Sequence, residues 1–178
     1  YQYQLPKKLK SLTKFAGIGP YLDLIYQSGL IDSVCRHLKV RTDTQGWTDA
    51  QFILSLLLLN LVGGQYVSDI ELLEHDPGLC RLMQQLESHQ LSIASKHFDK
   101  KRWHQAKKRT FPSPTAIFDF LYHFHDPLEH HHRASGYAYI PKTHPLIKKL
   151  LRVLKEQLEF AQLQSSQETA TLEQDATI

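Results

Sequence analysis

Cysteine is scarce in this chain. Cys35 and Cys80 are its only two, too few and too far apart for a disulfide framework or for the paired spacing of a structural zinc site. They read as two buried thiols in a reducing compartment. Long apolar runs are missing as well. The most apolar stretch, residues 52–62, is interrupted by Ser55 and Asn60, and it falls far short of the roughly 20 residues of a membrane span. No apolar stretch of the right kind follows Lys7, Lys8 and Lys10, so no secretory leader is expected. The expectation is a cytoplasmic chain with no membrane contact. A glycine-rich phosphate loop, a zinc-protease motif and a nucleophile elbow are all lacking. Without those anchors no small-molecule substrate is expected. There are no repeats and no low-complexity segment.

What is present is helix. The chain has 178 residues, 42% of them hydrophobic, and a formal charge of +3, a length that suits one compact domain or one domain plus an appendage. Residues 1–16 hold four lysines and no acid, and read as an exposed basic arm. Gly19-Pro20 opens a helix with Leu22, Ile25 and Tyr26 on its apolar side, since proline suits a first helical turn. Gly29 closes it, and Leu30, Ile31, Val34, Cys35 and Leu38 form a second stripe. Thr48 and Gln51 fit a capping box. The helix that follows is apolar nearly all round, as buried helices are, and Phe52, Ile53, Leu56, Leu57, Leu59 and Leu61 should lie at the centre of the fold. Gly63-Gly64 ends it. A second capping box is read at Ser68 and Glu71, and Asp76-Pro77 caps a helix burying Leu79, Leu82 and Met83. Ser113-Pro114 opens another, with Ile117, Phe120, Leu121 and Phe124 at helical spacing. A long amphipathic helix is expected over 145–164, with Ile147, Leu150, Leu151, Leu154 and Leu158 on one stripe.

The densest charge lies at 96–109, KHFDKKRWHQAKKR, where seven Lys or Arg stand against one Asp. Lys96, Lys100, Lys101, Arg102, Lys107, Lys108 and Arg109 surround Trp103. Cations that displace counterions, interleaved with rings that pack or stack, suit a nucleic-acid backbone. A solvated helix face or a covering loop remains the alternative. The capped helix after this run resembles the second helix of a helix-turn-helix, with Thr115, Ala116 and Asp119 facing out; the alternative is one more core helix. His123, His125 and the run His130–His132 lack the spacing of a metal site and read as surface histidines.

Three stretches together resemble the N-terminal region of bacterial insertion-sequence transposases of the DDE type: LTKFAGIGPYLDLIYQSGLIDSV, TDAQFILSLLLLNLVGGQYVSDIELLEHDPGLCRLM and PSPTAIFDFLYHF. The similarity spans roughly residues 12–126 and resumes at ATLEQDATI, which is similar to the strand carrying the first acid of the Asp-Asp-Glu triad. The resemblance makes Asp175 that acid, both catalytic and metal-binding. Glu173 stands where the family has Asp, and Gln174 where it has an apolar residue. The implied organisation is mainly α. A basic arm (1–16) precedes a compact helical DNA-binding domain (17–126), a linker (127–144) and a long amphipathic linker helix (145–164). A terminal β-strand (168–178) would begin a ribonuclease-H-like domain, so the chain is expected to be the front of a longer protein. The implied partner is DNA at transposon ends, with a homodimer left open. Mg²⁺ is implied for the full-length family and no cofactor for this fragment. Two other functions stay open: a stand-alone helical DNA-binding regulator, and a helical protein-interaction module.

DDE chemistry needs two divalent ions about 3.5–4 Å apart, held by several acids, and one carboxylate rarely holds Mg²⁺ alone. The 178-residue chain matches the family at one acid only. Incubated with transposon-end DNA and Mg²⁺ or Mn²⁺, it should leave the DNA intact; metal-dependent nicking abolished by Asp175→Ala would contradict this.

Overall fold

Thr48 sets where the central helix begins. Its hydroxyl accepts the Gln51 amide at 3.2 Å, and the Gln51 side chain accepts the Thr48 amide at 3.0 Å, so the capping box satisfies two amides left over by the first turn. In the computed structural model, which describes residues 12–41, 46–94 (the helix alone for 88–94), 109–128 and 142–165, the elements run α1 Ile18–Gln27, α2 Leu30–His37, α3 Asp49–Leu61, a 3₁₀ turn Val67–Asp69, α4 Ile70–Glu74, α5 Pro77–Ala94, α6 Pro114–Tyr122 and α7 Pro145–Gln164. The fold is mainly α, with no strand among the described residues. The expected terminal strand 168–178, most of the arm 1–16 and most of the linker 127–144 lie outside them.

The core forms around α3. Phe52, Leu54, Leu58 and Leu59 are buried there, together with Leu22, Val34, Ile70, Leu73, Leu79, Phe111, Ile117 and Phe120. The rings of Phe52 and Phe120 stack with centroids 4.5 Å apart and planes 10° apart, which docks α6 on α3. Two expectations for α3 need correction. Leu61 is 40% exposed, because the helix ends there and Gly63, at φ 80°, turns the chain away. Ile53, Leu56 and Leu57 are only half-buried, while Leu54 and Leu58 take the inner positions.

Single side chains join the pieces. The Asp76 carboxylate caps α5, accepting the Leu79 amide at 2.8 Å, and also accepts the Lys14 amide at 3.0 Å. A Cβ at Gly78 would lie 2.6–2.7 Å from the backbone of Leu12 and Thr13, so only glycine lets the incoming chain cross there. Asp69 accepts the Gln65 and Tyr66 amides, each at 2.9 Å. That bond pair, rather than a Ser68–Glu71 box, starts the turn into α4.

The long C-terminal helix also differs from expectation. Instead of standing as a linker, α7 packs on α2. It buries Val153 and half-buries Leu146 and Leu150, while Ile147, Leu151, Leu154 and Leu158 face outward. Glu156 fixes the docking, with Arg36 Nη2 and His37 Nε2 each 2.7 Å from its carboxylate. The Ser33 hydroxyl, buried beside this carboxylate and without another partner, lies outside full hydrogen-bond alignment. Ser33, then His37 and Arg36, hold the Glu156 carboxyl down at about 2. The thiols differ as well: Cys35 is exposed and Cys80 half-buried, because α2 turns Val34 rather than Cys35 inward.

Two outcomes follow from this packing. Phe52→Ala should cost about 3–5 kcal/mol in chemical denaturation, and Leu61→Ala under about 1 kcal/mol; equal costs would place the core elsewhere. Glu156 ionises more readily folded than unfolded, so its contribution is full above about pH 4.5 and is lost as pH falls through about 2. An acid titration of stability should therefore flatten in Glu156→Gln over that window.

Candidate nucleic-acid interface

Ser113 and Pro114 start α6 as the sequence implies: Ser113 Oγ accepts the Ala116 amide at 3.2 Å and Pro114 occupies the first turn. With Ile117 and Phe120 committed to the core, Thr115, Phe118, Asp119 and Tyr122 point to solvent. Phe118 is 59% and Tyr122 66% exposed. These four residues share one helical face at spacings of three and four. Thr and Phe can meet a thymine methyl, and a carboxylate can accept from a cytosine amine. The face is therefore suited to base edges, and Asp119 makes it unsuited to phosphate.

Arg109, the last cation of the basic run, is fixed against α4. Its Nη2 lies 2.7 Å from Glu71 Oε1 and its Nε donates to the Phe111 carbonyl at 3.2 Å. Glu74 then accepts the Thr110 amide at 3.0 Å and the Phe111 amide at 2.8 Å. Gln84 donates to the Thr110 hydroxyl at 3.1 Å. Phe111 and Pro112 are buried directly after this anchor, so the end of the basic run is tied to the start of α6.

Of the expected interface residues, Arg109 and Thr115 are described. Thr115 is exposed at the start of α6. Arg109 is half-buried, and Glu71 neutralises its charge, so it serves as an anchor. Lys96, Lys100, Lys101, Arg102, Trp103, Lys107 and Lys108 lie outside the described residues. Phe118 and Tyr122 add to the residues expected from the sequence, where an aromatic outer face on a capped helix is a readable signal. Glu71 and Glu74 left none, because their partners are distant in the chain.

His123 and His125 are exposed, and His123 Nδ1 lies 2.8 Å from the Asp119 carbonyl. Among the described residues no group of His, Cys, Asp or Glu could hold a metal ion. Asp175 lies outside them. A recess of about 350 Å³ beside Gly64 is lined by Phe15, Leu59, Tyr66 and Leu72; its one acid, Asp69, is already taken by backbone amides. Among the described residues no helix is long and apolar enough to cross a membrane. Compared with family models, curated proteins and solved structures, the chain matches none.

Glu74→Ala would leave two amides without their acceptor, at about 1–3 kcal/mol each if they stay buried. Hydrogen exchange should then rise at 110–122 before it rises in α1 and α2; uniform change would mean that α6 does not depend on this clamp.

Proposed function

We propose that this chain is the DNA-binding part of a DDE-type transposase, which contacts transposon ends through the outer face of α6 and the basic run 96–109. The observation that carries the proposal is the fixing of Arg109, the last residue of that run, and of Thr110 and Phe111 after it, by Glu71 and Glu74. The run ends, in sequence, five residues before α6, whose exposed face offers Thr115, Phe118, Asp119 and Tyr122. A basic run for the phosphates, joined in sequence to a helix face suited to base edges, has the division of labour of DNA recognition: phosphate contacts position and base contacts specify. The three stretches that resemble DDE transposases take in α1, α3, α4, α6 and the first turns of α2 and α5, and they support the choice of transposon ends as the DNA. Within this proposal Asp175 is the first triad acid, and the chain alone is catalytically incomplete. A stand-alone DNA-binding regulator would use the same surface. The outward leucines of α7 favour an interaction role in addition.

Fluorescence anisotropy against salt tests the proposal. Neutralising Lys100, Lys101 and Arg102 together should flatten the log–log salt slope by about three. Phe118→Ala and Tyr122→Ala should weaken end binding by about tenfold, on the scale of a lost base contact, with the slope unchanged. An unchanged slope in the triple variant, with α6 variants that bind normally, would remove DNA from this surface.

A further inference from the structure

We propose that the first turns of α7 are a second phosphate-contacting surface for duplex DNA, in addition to α6 and the run 96–109. The sequence signal is one that the DNA-binding reading leaves unused. Between Glu129 and Glu156 there is no acid, and there are six Lys or Arg. Lys142, Lys148 and Arg152 are exposed there, and Lys149 is half-buried. Lys155 lies 3.7 Å from Glu159 and is compensated by it. Among the described residues no carboxylate forms an ion pair with the other four.

The cations are gathered against their own electrostatics. At about 100° per residue, Lys148 and Arg152 fall within about 40° of each other, on the side of α7 away from Leu146, Leu150 and Val153. They stand four residues apart, and Lys149 stands three from Arg152. Like charges at these spacings repel. The first turn holds no acid, and His144 rather than a carboxylate accepts the Leu146 amide, at 3.2 Å. The helix dipole adds positive potential at the same end. A merely solvated face would be more stable with acids among these residues. A line of phosphates supplies the negative charge that the helix lacks.

The strip has a fixed direction. Arg36 and His37 hold the Glu156 carboxylate, and Gln157 Nε2 donates to the Ser28 carbonyl at 3.4 Å, so α7 cannot roll without breaking these bonds. Four residues of helix rise about 6 Å, and successive phosphates of one strand about 3.4 Å along the duplex axis. Lys148 and Arg152 can therefore take different phosphates. A lipid surface fits less well. An interfacial helix sinks its apolar face between polar flanks. Here the outward stripe of Ile147, Leu151, Leu154 and Leu158 has the cations on one side only, and α2 packs on the other.

The inference rests on the DNA-binding reading, and one titration separates the two. In fluorescence anisotropy of the full chain on duplex DNA, Lys148→Gln with Arg152→Gln should flatten the log–log salt slope by about two. The loss should add to that of the variant neutralised at Lys100, Lys101 and Arg102. Lys39→Gln with Arg41→Gln removes the same charge from exposed positions just after α2 and should leave the slope unchanged. Circular dichroism should show helicity kept or raised, because the α7 substitutions relieve repulsion. An unchanged slope in the Lys148 and Arg152 variant, or an equal change in the Lys39 and Arg41 variant, overturns the second surface and leaves the DNA-binding reading standing. A chain that binds no duplex overturns both. Phosphatidylserine vesicles that bind the unaltered chain and release the Lys148 and Arg152 variant, with duplex binding unchanged, assign the strip to a membrane and overturn the proposal.

Discussion

The carboxylate of Glu74 decides where the second half of the molecule goes. It accepts two successive amides, those of Thr110 and Phe111, from a stretch lying 36 and 37 residues further along the chain. A charged acceptor makes each bond stronger than a neutral one, and the buried ring of Phe111 follows at once. The bonds orient the chain and the ring commits it. Glu71, one helical turn earlier, holds Arg109 in the same register. α4 has five residues, too few to be stable as an isolated helix. It persists because Ile70 and Leu73 are fully buried, leaving the carboxylates on its other side free to bind. From there the Phe120 ring reaches Phe52, and the outer face of α6 is settled.

The same device recurs at both ends of the described structure. Asp76 ties the incoming chain to α5, and Glu156 ties α7 to α2. Burial pushes the Asp76 carboxyl up, but the amides of Leu79 and Lys14, with the Thr13 hydroxyl and the Gly78 amide, outweigh it and hold the group below its ordinary value. Apolar contacts supply most of the stability in a fold of this size. They say little about direction, which the carboxylates provide. The result is a helical body with two exposed faces of different chemistry. α6 presents Thr, Asp and aromatic groups, whereas α7 presents Ile and Leu.

Local signals were legible in the sequence and relative placement was not. The caps at Thr48, Asp76 and Ser113 all form as their residue types imply, because a cap is decided within four residues. Ile117 and Phe120 are buried as their spacing implies. α3 was harder: a helix apolar nearly all round has no pattern from which to choose a face, so Leu61 could not be told from Leu58. α7 misled for the opposite reason. Its most regular stripe is the outward one, and the residue that is buried, Val153, belongs to a shorter second stripe that depends on α2 and on Glu156. Of the candidate interface, Thr115 is exposed as its place at the start of α6 implies, and the basic run apart from Arg109 lies outside the described residues. The role of Arg109 was not legible, since a cation and the distant acid that neutralises it leave no joint mark on the sequence.

Hydrogen exchange of the full chain, with and without duplex transposon-end DNA, tests the central claim most directly, that α6 and the basic run form one DNA-contacting surface. DNA should slow exchange at residues 96–122 and leave α1 unchanged. Protection confined to α7, or none at concentrations where DNA is bound, would contradict it.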